Sequence, residues 1–134
     1  MAVLIDTSVL IDVERGRTEL DAAIGDDDRA ISVITTSALL HGVHRAPDDR
    51  VRARRQAFVE HVLDALDPIP IDARVARAHA AAWAQLDAAG APVGAHDLWI
   101  AATAIAHGYA VATANVRDFA RVPGLTVVPV GRPN

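Results

Sequence analysis

Apolar residues fall along this chain in two alternating rhythms: short unbroken runs of the kind that become buried strands, and runs spaced three and four apart that become helices. Residues 2–5 form a strand-type run closed by Asp6, Thr7 and Ser8, after which Val9, Leu10 and Val13 keep helical spacing up to Gly16. Thr18 opens a short polar helix that ends near Gly25, and residues 26–29 read as a solvated turn. Residues 30–33 predict a second strand, with Thr35 as the N-cap of a helix reaching Arg45. Pro47, Asp48 and Asp49 then break the chain and start another helix, its inner face drawn by Val51, Phe58, Val62 and Leu66. Ile69 and Ile71, on either side of Pro70, read as a short extended link.

The second half continues the alternation. Asp72 caps a helix with Val75, His79, Ala82, Trp83 and Leu86 facing inward and Gly90 as its stop. A loop holding Pro92 and Gly94 leads into a small Ala-rich helix over residues 97–107. Residues 109–113 read as a buried strand, 115–121 as a turn or short helix, and 126–130 as a last strand. Strands separated by helices, with about a dozen or more residues in each crossover, predict an α/β fold with a mostly parallel central sheet flanked by helices on both faces. The length suits one domain over residues 1–134, with no internal repeat or linker.

Composition narrows the chemistry. The chain has no Lys and no Cys. A phosphate-loop NTPase, a Schiff-base enzyme and a phospho-relay receiver each need a Lys; thiol catalysis, disulfides and Cys-ligated zinc need Cys. No apolar run approaches the ~20 residues of a membrane span. The N-terminus begins with a core-like strand instead of a basic segment and a long apolar stretch, so no signal peptide is expected. Seventeen acids against thirteen bases, every base an Arg, leave a net charge of −4. That balance argues against a broad nucleic-acid-binding face but leaves room for a small acidic metal site. The 28 alanines and the all-Arg basic set read as codon composition.

Three acids occupy suggestive addresses, because ligands of open parallel sheets collect beyond the carboxyl ends of the strands. Asp6 ends the first strand, Asp118 follows the fourth by a few residues, and Asp97 opens the helix entered from the Gly/Pro loop. Each has a plainer reading: Asp6 as a helix cap, Asp97 as an acid favoured by a helix dipole, Asp118 as a turn residue. Gathered together they demand more, since carboxylates ~4 Å apart repel by about 4 kcal/mol per pair at an effective dielectric near 20. A cation removes that cost. Oxygen ligands without His or Cys suit Mg2+ or Mn2+, and with them phosphoryl chemistry. An aspartyl phosphatase of the haloacid-dehalogenase type would need a second Asp two residues after the first, where this chain has Ser8.

At these positions the sequence resembles the PIN-domain ribonucleases, and among them the VapC toxins of bacterial toxin–antitoxin pairs. The likeness is carried by Leu-Ile-Asp-Thr-Ser-Val-Leu-Ile over residues 4–11, Ile-Ser-Val-Ile-Thr over 31–35 and Leu-Leu-His-Gly-Val over 39–43. It continues in Pro-Val-Gly-Ala-His-Asp-Leu-Trp-Ile-Ala over 92–101 and Thr-Ala-Asn-Val-Arg-Asp-Phe over 113–119, closed by Val-Pro-Gly-Leu over 122–125. The resemblance implies a metal-dependent endoribonuclease with acids at Asp6, position 38, Asp97 and Asp118 around one or two Mg2+ or Mn2+ ions. Thr7, Ser8, Thr113 and Asn115 would be the hydroxyl and amide groups that orient those acids. It also implies a homodimer, a cognate VapB-type antitoxin that reaches into the acidic site, an RNA substrate and a cytoplasmic location.

One position departs from the pattern: Ala38 stands where the family has Glu. The nearest acids in sequence, Asp28 and Asp48, belong to flanking turns, and a Glu at 38 would also close a capping box with Thr35. Of two origins for Ala38, natural loss or a change made to disarm a toxin, the intact flanking blocks favour the second. The chain is expected to fold and bind its antitoxin but to cleave RNA poorly or not at all. The alternative from another class is a catalytically dead PIN module that binds or regulates. A nuclease for structured DNA is disfavoured by the small size.

Arg50, Arg52, Arg54 and Arg55 make a dense basic run, read as the solvated face of a helix or as a phosphate-contacting rim that Arg45, Arg117 and Arg121 would join. Arg52, Arg55, His96 and Arg117 are the candidate RNA contacts. His41 and His44 have metal-like spacing without a third ligand, and His79 reads as a core histidine. The few aromatics offer no base-stacking platform: Trp83 fits the core, and Trp99 the core or a dimer contact.

Overall fold

The computed structural model describes residues 2–131. The apolar runs become β1 (Val3–Ile5), β2 (Arg29–Ser32), β3 (Pro68–Ile69), β4 (Ala110–Thr113) and β5 (Val127–Pro129), and the spaced segments become helices. These are α1 (Thr7–Glu14), α2 (Leu20–Ile24), α3 (Val33–His44), α4 (Asp49–Ala65), α5 (Ala73–Ala89), α6 (Ala95–His107) and α7 (Val116–Phe119). The strands form one sheet in the order β3-β2-β1-β4-β5, and every neighbouring pair is parallel. The expectation of a mostly parallel sheet is thus met in full among the described residues.

Both faces of the sheet are covered, which is why its strands are mostly apolar instead of alternating. Val3 and Ile5 of β1 join Val9, Leu10, Leu39, Val43, Val59 and Val62 of α1, α3 and α4 in one core. Leu4, pointing the other way as strand pleating requires, joins Ala82, Leu86, Leu98, Ala101, Ala104 and Phe119 of α5, α6 and α7 in the second. Among the described residues no helix is long and apolar enough to cross a membrane.

Three local expectations change. The link around Pro70 contains a strand, β3, whose two residues pair with Ile31 and Ser32 at the sheet edge, a place that tolerates Pro. Helix α3 starts earlier than Thr35: its cap is Ser32, whose Oγ accepts the Ile34 N–H at 3.0 Å. Thr35 is buried inside the helix, so a capping box between positions 35 and 38 does not exist. Trp83, placed in the core by its spacing, is 55% exposed. Val75, Ala82 and Leu86 lie on one stripe of α5, whereas position 83 stands about 80° around the helix from Val75, at the stripe's edge.

Other signals read locally held. Asp48 and Asp72 cap α4 and α5 through side-chain bonds to the Val51 and Val75 N–H groups, at 2.8 and 2.9 Å, and Gly90 ends α5 in the left-handed conformation at φ 63°. That backbone bond, chiefly, holds the Asp72 carboxyl below the usual carboxylate range. Asp72→Ala is expected to lower the urea midpoint of unfolding through loss of this N-cap, and an unchanged midpoint would show that the cap contributes nothing.

Candidate active site

The chain runs β1, β2, β3 outward on one side of the sheet and returns to place β4 and β5 on the other side of β1. Strand order therefore reverses between β1 and β4, and the crevice beyond their carboxyl ends is the place where such sheets bind ligands. Asp6 directly follows β1, and Thr113 ends β4. The two meet: Thr113 Oγ1 donates to Asp6 Oδ2 at 2.8 Å, and Ser8 Oγ donates to the same oxygen at 2.7 Å. Each hydroxyl is itself held by a backbone donor, Thr113 by the Asn115 N–H at 2.8 Å and Ser8 by the Ala114 N–H at 3.3 Å. Asp6 is 2% exposed and occupies the cap position of α1, yet its side chain makes no cap hydrogen bond. Its carboxylate is oriented by hydroxyls instead, with Oδ1 accepting no hydrogen bond among the described residues.

Asp97 enters from α6, in the first helical turn after the Gly94 cap, and Asp118 from the four-residue α7. Asn115 joins them, its Nδ2 donating to Asp118 Oδ2 at 2.9 Å and to Asp97 Oδ2 at 3.3 Å. The Asp97 carboxyl is pushed up to about 6 by burial first and then by the charges of Asp6 and Asp118, against the Asn115 hydrogen bond and His96. Asp97 thus feels acids from two distant stretches of the chain. Among the described residues no three His, Cys, Asp or Glu side chains stand in metal-holding geometry. The donor set still suits a hard cation: it is all oxygen, one carboxylate is destabilised by the other two, and an amide donor stands between Asp97 and Asp118.

The remaining candidates divide. Thr7 Oγ1 donates to Thr35 Oγ1 at 3.0 Å and so ties α1 to α3 beside Asp6. Ala38, one turn further along α3, lines a cavity of about 140 Å3 with Ile11, Glu14, Arg15 and Arg55 among its neighbours, and none of the three acids lines it. Glu14 is the acid that sequence proximity missed there. Its Oε1 is buried without a hydrogen bond and lies 3.5 Å from Arg54 Nε. Arg52 pairs with Asp49 at 3.1 Å, and Arg55 donates to the Gly42 carbonyl at 2.8 Å, so these arginines serve α4 and its packing on α3. Arg117 is exposed and lines a groove of about 560 Å3 with Asn115. His96 is exposed in the first turn of α6, and Arg45, His41 and His44 are exposed around the far end of α3. Arg121 stands 3.8 Å from Asp118 and donates to the Pro92 carbonyl at 2.9 Å.

The PIN domain family profile matches residues 3–125. The ribonuclease VapC of Rickettsia bellii is 35% identical over 130 residues, which cover 97% of each protein. The chain is a PIN domain of the VapC family. Ribonuclease VapC5 of Mycobacterium tuberculosis is 38% identical over 131 residues, 98% of this PIN domain and 95% of that protein. The crystal structure of VapBC-5 from the same organism, a member of the VapBC family of toxin-antitoxin systems, superposes with a TM-score of 0.83 at 34% identity. It covers 97% of this VapC-family chain and is itself covered completely.

Proposed function

We propose that this chain is the toxin of a VapBC-type pair, an endoribonuclease built on a Mg2+ or Mn2+ site at Asp6, Asp97 and Asp118 and weakened by Ala38. The observation that carries the reading is the Asn115 amide bridging Asp97 and Asp118, with the Asp97 carboxyl pushed up to about 6 by burial and by the charges of Asp6 and Asp118. A bound divalent ion would polarise a phosphodiester and lower the pKa of an attacking water. The chain's own side chains prepare the place. Ser8 and Thr113 fix Asp6 in one rotamer, and Asn115 holds Asp97 and Asp118 in register. The burial of Asp6 keeps its field poorly screened.

The relatives named ribonuclease VapC support RNA as the substrate, and the VapBC-5 likeness supports a VapB-type antitoxin as the partner. A homodimer and a cytoplasmic site of action complete the proposal. The alternative, a PIN module that binds without cleaving, is favoured by one observation: Glu14, the acid that lines the cavity at Ala38, is ion-paired to Arg54. The two readings part on cleavage of single-stranded RNA by this chain and by Ala38→Glu, with Mg2+ and with EDTA. No cleavage by either protein, and no heat of Mn2+ binding, would leave only the binding module.

Arg117, exposed beside Asn115, is the arginine best placed to meet a phosphate. Arg117→Ala is expected to flatten the dependence of log affinity for single-stranded RNA on log salt by ~0.7, one phosphate contact, whereas Arg52→Ala leaves the slope unchanged. Affinities measured across a salt series in EDTA read both.

A further inference from the structure

The sequence offers no cluster of aromatics, yet the fold assembles one beside the acidic site. His79 of α5 stacks on Trp99 of α6 with ring centroids 3.6 Å apart and planes 12° from parallel. Trp83, one turn on from His79, meets it edge-on at 5.7 Å and remains 55% exposed. Burial lowers the His79 pKa, which keeps its ring neutral and suited to stacking on an indole. These three rings, with Asp87, Pro92 and Val93, line a cavity of about 350 Å3, the small-ligand end of the ~300–1,000 Å3 range of binding pockets.

The cavity is joined to the acids by a single loop. Pro92 lines the cavity and gives its carbonyl to Arg121, which in turn stands beside Asp118. Trp99 and Asp97 share α6 but point about 200° apart around it, so the tie between cavity and acids runs through Pro92 and Arg121. A flat aromatic wall, an exposed indole and a lone carboxylate make a defined chemical demand. The occupant should be planar and uncharged, and should carry N–H donors for Asp87; a phosphate would be repelled. A nucleobase meets each requirement, since bases stack on Trp and present amino or imino hydrogens that a carboxylate accepts.

We infer that the Trp83–His79–Trp99 cavity holds one unpaired base of the RNA strand whose phosphodiester lies at the Asp6, Asp97 and Asp118 site. The inference rests on the reading of the chain as a ribonuclease, and the test separates the two. Binding of fluorescent single-stranded 8-mers of U, A, C or G is measured in EDTA, where no cleavage complicates it, against an 8-mer of the same backbone with abasic positions. Trp83→Ala, a change at an exposed position, is expected to weaken binding of the base-bearing strands about tenfold, as loss of one base–aromatic stack would, and to leave the abasic strand unaffected. Trp83→Phe should retain most of the affinity.

Equal affinity of Trp83→Ala and the parent chain for base-bearing strands overturns the inference while leaving the nuclease reading in place. So does a parent chain that binds abasic and base-bearing strands alike. A drop from dimer to monomer on Trp83→Ala in light scattering, with affinity for both kinds of strand lost together, would make this face a contact between copies instead. A parent chain that binds none of the strands removes RNA as the substrate, and the base site with it.

Discussion

Ala38→Glu is expected to raise Mg2+-dependent cleavage of RNA by ~100-fold or more, since loss of even an outer partner of a metal site commonly costs 10- to 100-fold. Position 38 sits one turn after Thr35, whose hydroxyl accepts from Thr7 next to Asp6. Side chains on a helix lean toward its N-terminus, so a Glu at 38 extends back along α3 toward the Thr7–Thr35 pair. Ala38 borders a cavity of about 140 Å3, so there is open space beside this position for a longer side chain. Initial rates on single-stranded RNA, with EDTA as the control, decide the matter. If both proteins cleave equally, or neither cleaves, position 38 has no part in the chemistry.

Asp97→Asn is expected to act in opposite directions on function and stability. In the Ala38→Glu background it should weaken Mn2+ binding by ~100-fold or more and abolish measurable cleavage, because a hard cation loses a charged oxygen ligand. Without metal it should stabilise. Burial, then the charges of Asp6 and Asp118, push the Asp97 carboxyl up to about 6 from the ordinary Asp value of about 4, a displacement worth ~3 kcal/mol, and solvent around the half-buried group lowers the realised cost to ~1–2 kcal/mol.

The sign follows from proton binding: between about pH 4 and 6 the folded chain holds a proton that the unfolded chain has released. Stability from this group is therefore greatest at the acid end and declines as pH rises to about 6, after which the penalty is constant. Asp97→Asn removes that decline, giving ~1–2 kcal/mol more stability at pH 8 and no difference near pH 4. Urea unfolding across pH in EDTA measures it, and an unchanged difference from pH 4 to 8 would show that neither burial nor the charges of Asp6 and Asp118 raise the Asp97 carboxyl. The same proton competes with a cation, so Mn2+ affinity should fall as pH drops below about 6.

Much of this protein was legible in its order of residues, and the limits were physical. Strands and helices announce themselves over four to a dozen neighbouring residues, so β1, β4 and the long helices α4 and α5, with their Asp48 and Asp72 caps, stand close to where the pattern puts them. β3 did not, because two residues at an edge, one of them Pro, take their strand character from pairing with Ile31 and Ser32. The start of α3 was misplaced for a related reason. Ser32 and Thr35 are both good caps by type, and only packing against α1 draws Thr35 into the interior and leaves Ser32 to cap.

The acids show the same division. That Asp6, Asp97 and Asp118 each follow a strand or open a helix is local information, and so is the absence of Glu at position 38. That Asp6 caps nothing and is instead gripped by Thr113, 107 residues away, is decided by the parallel pairing of β1 with β4. The presence of Glu14 beside Ala38, and of Trp83 and His79 beside Trp99, likewise depends on how α1 meets α3 and α5 meets α6. The sequence by itself determined most of the elements, β3 excepted, and which carboxylates are available. The tertiary structure alone decided which of them share a field, because Coulombic repulsion, stacking and burial act through space across separations that no local pattern records.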